Sequence, residues 1–124
     1  MSFDNSLAIN IGSESTPQML NVVRINQDGY SGEYRAKEGT DVFTFLIRHS
    51  VEKNKVMSAH MDRHNVTIRR VEAPTDTYPL GRVFEAYTVI RTPKDADVAD
   101  ILGLVTASCR FTLDHASRIV GWES

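Results

Sequence analysis

The basic residues of this chain gather where its strand pattern is strongest. Between Arg48 and Arg70 stand six cations, Arg48, Lys53, Lys55, Arg63, Arg69 and Arg70, against two carboxylates, Glu52 and Asp62. That segment carries +4, while the whole chain carries −2, which leaves −6 for the rest. Alternate residues of a strand share a face. Thr44 and Arg48 on one strand, Thr67 and Arg69 on the next, and Tyr87 and Arg91 on the last have the parity to meet on one surface. Arginine contacts phosphate, threonine hydroxyls bond phosphate or bases, and tyrosine offers a stacking plane for an unstacked base. An antiparallel sheet can leave one face in water, and such a face would suit a polyanion such as RNA. The bland alternative is a solvated face charged for solubility. Arg69 and Arg70 must point opposite ways, and a slip of one residue exchanges them.

Two other groups bear on chemistry. His60-Met61-Asp62-Arg63-His64 has metal-like spacing, because residues 60, 62 and 64 share a face on a strand and two histidines with an aspartate could hold zinc or iron. Its alternative is a polar turn between two strands, and no further ligand stands out. Cys109, beside Arg110 and six residues before His115, would need a contacting base to act as a nucleophile. It instead extends an apolar helical stripe and is expected to be a small buried core residue. Phosphate-binding glycine loops, paired carboxylates and hydrolase or kinase motifs are missing. No metal, cofactor or catalytic residue is expected.

The chain has 124 residues, 41% hydrophobic and 24% charged, which fits one globular domain. A chain of this length hides roughly two-thirds of its unfolded surface, so a core shared with a second subunit is plausible. The single cysteine excludes an intramolecular disulfide. No apolar run reaches the ~20 residues of a membrane helix. The start, Met1-Ser2-Phe3-Asp4-Asn5, lacks the basic and apolar regions of a signal peptide, which favours a reducing cytoplasm. A near-neutral chain is no histone-like coat, so any nucleic-acid binding must come from local patterning.

The elements that would position these residues are mostly strands. Leu7–Ile11 alternates, Gly12–Pro17 turns, and Met19–Asn26 places Leu20 and Val22 opposite Val23 and Ile25. Asp28-Gly29 is a strong hairpin signal, and Tyr30–Ala36 returns. Asp41–Val51 has apolar groups on both faces, Phe43, Phe45 and Ile47 against Val42 and Leu46, as a central strand would. Asn65–Ala73 and Arg82–Thr92 follow, joined by the loop Ala73–Gly81. The period then changes. Thr92-Pro93-Lys94-Asp95 resembles a helix start with a threonine cap, and Val98, Ile101, Leu102 and Val105 form an amphipathic stripe. A second helix is expected over Thr112–Val120, along Leu113, Ala116 and Val120, stopped by Gly121 in the left-handed conformation. Strands followed by helices make an α+β fold with the helices on one face.

This succession resembles the coat proteins of the single-stranded RNA bacteriophages, the leviviruses, over nearly the whole chain. The hairpin Leu7–Val23, the strand Phe43-Thr44-Phe45-Leu46-Ile47-Arg48-His49-Ser50, the strand Asn65-Val66-Thr67-Ile68-Arg69-Arg70-Val71-Glu72 and the closing strand from Phe84 to Pro93 carry the resemblance. It implies one domain over residues 1–124, with hairpin and sheet in 1–92 and a helical dimerisation tail in 93–124. It implies an N-terminal β-hairpin, a five-stranded antiparallel sheet and two C-terminal helices that pack over the partner's sheet in an interlocked homodimer. Dimers would build an icosahedral virion shell, assembled in the bacterial host cytoplasm, around a single-stranded RNA genome. A dimer would also bind an RNA hairpin as translational repressor and packaging signal. Carried over by position, Thr44, Leu46, Arg48, Thr67, Arg69, Glu85 and Tyr87 would face RNA, and Arg91 joins them by the strand parity given above. The tyrosine is displaced by two positions from the family's pattern, and Leu46 replaces a position often polar there. Val98, Ile101, Leu102 and Val105 would form the dimer interface. Pro74, Tyr78, Pro79 and Gly81 would lie in the loop between dimers, where the Tyr78–Pro79 bond could be cis or an ordinary stiffening proline. Two other readings stand beside it: a free-standing α+β module for RNA or a small ligand, and a small metal enzyme on His60, Asp62 and His64.

Overall fold

The computed structural model describes residues 3–54 and 59–124; Met1, Ser2 and Lys55, which enter the sequence argument, lie outside them. Six strands run in chain order: β1 (Ser6–Asn10), β2 (Met19–Gln27), β3 (Ser31–Glu38), β4 (Asp41–Asn54), β5 (Ala59–Glu72) and β6 (Arg82–Pro93). All pair antiparallel with their chain neighbours in a single sheet. One helix, α1 (Val98–Val120), follows. The α+β order is as expected, but the element counts differ.

The N-terminal hairpin is not separate from a five-stranded sheet. β2 continues pairing with β3 across an irregularity between Arg24 and Asn26, so the hairpin joins the sheet. Such a bulge bends a strand without ending its ladder. The bend has a visible result. Leu7 and Ile9 of β1 line one groove with Phe45, Ile47 and Val66 of β4 and β5. In a flat sheet β1 would lie about 14 Å from β4, at roughly 4.8 Å per strand. The sheet therefore curls, and the hairpin folds over its apolar face.

That face carries the core. Val22, Tyr34, Leu20, Phe43 and Ile47 are buried, with Leu7, Ile9, Ile11, Ala36 and Phe45 packed around them. Burying a side chain such as Val22 stabilises by about 1.5–3 kcal/mol. The Tyr34 hydroxyl, buried with its ring, donates to the Asp4 carbonyl at 2.9 Å and accepts from Arg24 Nη2 at 2.6 Å. Its polar end is thereby satisfied, as burial requires.

Asp28-Gly29 does sit in a hairpin, between β2 and β3, but Gly29 does not use a positive φ there. The Asp28 carboxylate organises the turn instead, accepting the Tyr30 and Ser31 amides at 2.7 and 2.8 Å.

Two strand and helix boundaries move. β5 begins six residues before the expected Asn65, because β4 runs on to Asn54 and offers a pairing partner for residues 59–64. The helix does not begin with a Thr92 cap. Thr92 and Pro93 still pair with Asp62 and Met61, so β6 occupies that segment. Asp97 is the cap, and the Asp100 carboxylate reaches back to accept the Asp97 amide at 3.2 Å. One helical run stands in place of the two expected helices, because residues 106–111 contain neither glycine nor proline to end it; the backbone leaves helical geometry at His115 (φ −121°, ψ 18°). Gly121 ends the helix at φ −79°, and Trp122, not the glycine, takes the positive φ of 70°.

Helix α1 has no buried residue. It reaches its own hairpin through a surface ion pair, Arg110 Nη1 to Glu14 Oε1 at 3.0 Å, a contact worth about 0.2–1 kcal/mol at most. Cys109, expected to be buried, is exposed, because it lies beyond the first turns of the helix that rest beside Ile90. No helix among the described residues is long and apolar enough to cross a membrane.

Candidate nucleic-acid interface

The strand register brings the eight expected residues onto one face. Thr44 pairs with Arg69 and Arg69 with Glu85; Leu46 pairs with Thr67 and Thr67 with Tyr87. Arg48 pairs with Asn65, and Arg63 with Arg91. Partners across a ladder share a face, so Thr44, Leu46, Arg48, Thr67, Arg69, Glu85, Tyr87 and Arg91 form one surface across β4, β5 and β6. It is the face away from the buried core. The register also fixes the ambiguous arginine. Arg69 belongs to this polar face. Arg70 lies on the other, bonding Asp41 through Nη2 at 2.8 Å, with its guanidinium carbon 5.7 Å from the Phe43 ring centre.

The cations are more numerous here than the acids, but several are already paired. Glu85 holds Arg69 at 2.7 Å, Glu33 lies 3.6 Å from Arg35, and Glu52 is bonded to Arg91 Nε. Among the described residues, Lys37, Arg48 and Arg63 of this face make no ion pair. Of the basic cluster read from the sequence, Arg48, Arg63 and Arg69 face this side, whereas Lys53 and Arg70 share the apolar side. Arg63 and Asn65 join the face in addition to the eight expected residues. Their parity with Thr67 and Arg69 is the available signal, once the strand is known to begin before Asn65.

The centre of the face has a formed polar detail. Thr67 is 9% exposed, and its hydroxyl donates to Asn65 Oδ1 at 2.5 Å. Tyr87, its cross-strand neighbour, is 65% exposed, so the ring offers open area to a planar group.

The other expected groups fall as follows. Val98, Ile101, Leu102 and Val105 line one recess with Asp62, His64, Ile90 and Thr92, where the helix leaves the sheet. Val98 and Leu102 remain more than half exposed. The loop holding Pro74, Tyr78, Pro79 and Gly81 is compact: the Thr75 amide donates to the Tyr78 carbonyl at 3.0 Å and the Gly81 amide to the same oxygen at 2.9 Å. The Tyr78–Pro79 bond is trans. Gly81 has φ +74°, and a Cβ there would collide with the Glu72 carbonyl oxygen. Leu80 at the tip is almost fully exposed.

His60, Asp62 and His64 lie in strand β5, not in a turn. No group of three or more potential metal ligands converges among the described residues. His64 is drawn instead to His49 on β4, with the two Nδ1 atoms 2.8 Å apart.

Comparison with known proteins agrees with this architecture. The family described as the phage phiCb5 coat protein matches residues 4–93, most of the chain. Among solved structures, the bacteriophage EMS014 coat protein has a similar fold, with a TM-score of 0.63 and 13% identity over 87% of this chain and 72% of that one. No curated protein matches. The curled antiparallel sheet with a C-terminal helix is thus a bacteriophage coat fold, and the resemblance to coat proteins of single-stranded RNA phages holds. This chain belongs to the phage phiCb5 coat-protein family, and its role is that of a structural protein of the virion.

Proposed function

We propose that two copies of this chain form an interlocked dimer, that such dimers close an icosahedral shell, and that the polar sheet face lies against single-stranded RNA. Residues 1–124 act as one coat domain, with the sheet in 1–92 and a dimerising tail in 93–124. The observation that carries this reading is the segregation of the two sheet faces. One face holds the core and an apolar groove; the other gathers Arg48, Arg63, Arg69 and Arg91 around Thr44, Thr67 and Tyr87.

The helix supports the dimer. A helix of 23 residues without a buried side chain exposes Val98, Leu102, Leu104, Phe111, Leu113, Ile119 and Val120. Apolar area of that extent is unfavourable in water and marks a surface that another chain covers. The groove between the hairpin and the helix, floored by Phe45, Ile47, Val66 and Ile90, has the apolar character to receive the partner's helix. Val98, Ile101, Leu102 and Val105 then belong to the dimer interface. Pairing across the exposed β6 edge would also protect that edge.

RNA binding rests on Arg48 and Arg63 as open phosphate contacts, with Arg69 and Arg91 tied to carboxylates. Tyr87 supplies a stacking plane, and Thr44, Leu46, Thr67 and Glu85 shape the surface beside it. Recognition of one hairpin as repressor and packaging signal belongs to the same face. Pro74, Tyr78, Pro79 and Gly81 form the contact between dimers, with assembly in the host cytoplasm. The full chain expressed in bacteria tests the reading. Closed particles in the electron microscope, eluting in the void volume and carrying extractable RNA, are expected. A homogeneous monomer in the included volume contradicts it.

A further inference from the structure

The polar face carries a carboxylate that phosphate binding leaves without an explanation. Glu33 of β3 is half-buried, with 30% of its side chain exposed, and its carboxylate accepts no hydrogen bond among the described residues. Arg35, two residues along the same strand, approaches one oxygen to 3.6 Å, beyond hydrogen-bond reach. A negative charge here repels the phosphates that Arg48 and Arg63 attract. A carboxylate accepts hydrogen bonds and donates none. On this face its use is to meet a group rich in N–H donors.

The bulge in β2 sets a second polar group beside it. Val23 pairs with Arg35 and Arg24 with Tyr34, but Asn26, not Ile25, pairs with Glu33. An unbroken register would put the Ile25 side chain opposite Glu33. The extra residue shifts the strand by one and brings the Asn26 amide there instead, with Cβ atoms of such opposed residues about 4.5–5.5 Å apart. Across the other ladder Glu33 stands opposite Leu46, and Ser31 opposite Arg48. Asn26, Ser31, Glu33, Leu46 and Arg48 line one small recess together with Gly32. The Asn26 amide and the Arg48 guanidinium have no partner among the described residues. Asn26, Glu33, Leu46, Thr67 and Tyr87 form one row across the sheet. Tyr87 stands three strands from Glu33, about 14 Å away, so its ring and the recess take different nucleotides.

We infer that this recess selects guanine in single-stranded RNA, an assignment that rests on the RNA-facing reading above. Guanine alone among the RNA bases presents two adjacent donors on its Watson–Crick edge, N1–H and the N2 amino group, beside the O6 acceptor. The Glu33 carboxylate accepts from both donors, and the neighbouring Asn26 amide donates to O6. Leu46 lies against the ring, and Arg48 takes the phosphate of the same nucleotide. Adenine sets its N1 lone pair against the carboxylate, and cytosine its N3. Uracil offers a single donor flanked by two carbonyl oxygens. Each of these desolvates the carboxylate without satisfying it, which is the costly outcome for a polar group.

The test measures binding of short labelled oligonucleotides to the full chain by fluorescence anisotropy, with the protein dilute enough that no shell closes. The probes are oligouridine and the same oligonucleotide with one central base changed to guanine, adenine, cytosine or hypoxanthine (inosine). The guanine probe should bind about 5- to 100-fold tighter than oligouridine, the range of one good bidentate base contact. Inosine lacks only the N2 amino group and should fall between the two. Glu33→Gln should cut the guanine-to-uracil ratio to under about twofold, and the ratio cancels the general effect of removing a negative charge. Equal binding of all the probes, or preference for another base, overturns the pocket and leaves the RNA reading standing. Failure of every probe to bind at low salt overturns the RNA reading itself. A guanine preference that survives in folded Glu33→Gln overturns the role of Glu33. Should that variant not fold, inosine decides with the wild-type protein: binding below guanine supports the carboxylate contact, and binding equal to guanine overturns it.

Discussion

Arg69 of β5 and Glu85 of β6 stand directly opposite each other and close an ion pair of 2.7 Å on the polar face. One strand away, Arg48 shares that face and has no carboxylate partner among the described residues. Two arginines that look equivalent in sequence are thus unequal in availability. An exposed pair of this kind adds only about 0.2–1 kcal/mol to stability, but it occupies the guanidinium that RNA would need.

Arg48→Ala should therefore weaken RNA binding more than Arg69→Ala. Each phosphate that a side chain neutralises adds about 0.7 to the slope of log K against log salt for a single strand. Arg48→Ala should lower the slope by that full amount, and Arg69→Ala by less. The double variant should still form particles, with less RNA inside. Filter binding across a salt series and the RNA content of purified particles measure this. Unchanged slope and RNA content in the double variant remove both residues from the site.

Removal of the chain from Val98 onward should abolish the dimer. The shortened protein lacks the stripe of Val98, Ile101, Leu102 and Val105 and leaves the groove over Phe45, Ile47 and Val66 uncovered. Light scattering should find monomer or aggregate. A soluble, folded dimer from this truncation would rule out the interlocked helices.

Gly81→Ala drives a methyl group into the Glu72 carbonyl oxygen and forces a non-glycine residue to φ +74°. The strain costs about 1–3 kcal/mol. It falls on the loop proposed to join dimers, so particle yield should drop while dimers persist. Electron microscopy beside light scattering reads both, and normal particle yield would separate this loop from assembly.

The β2–β3 turn should respond to acid. The Tyr30 amide, with Ser31 second, holds the Asp28 carboxyl below the usual carboxylate range. A lowered value means that the turn is stabilised above the ordinary carboxylate range and loses that support as pH falls through the lowered one. The Tyr30 and Ser31 amide resonances should shift together in that acid range, and Asp28→Asn should remove the transition. Amides that do not respond would place their bonds elsewhere.

The faces of β4 and β6 are legible in the sequence because aromatic and aliphatic residues gather on one side and the charged residues Arg48, Glu85 and Arg91 fall on the other, which writes a period of two even though Val42 and Leu46 make the second side of β4 partly apolar. The segment His60–His64 is not, since both of its sides are polar and alternation there carries no signal. Parity alone can place Arg69 beside Thr67. The partner strands are needed to reveal that Glu85 already holds it, because an ion pair across strands depends on register. The apolar pattern suggests a break between two helices before Thr112, where the chain has no residue to enforce one. Cys109 departs from its expected burial for a related reason: an amphipathic stripe states that a face will be covered, not which chain covers it.

Ultraviolet crosslinking of RNA to protein within purified particles, mapped by mass spectrometry, tests the central claim most directly. Crosslinked peptides should contain Leu46–Arg48, Arg63–Arg69 and Tyr87, on one face of the sheet. Crosslinks confined to Val98–Val120 or to the hairpin strands β1 and β2 would contradict it, because the RNA would then lie against the opposite side of the molecule.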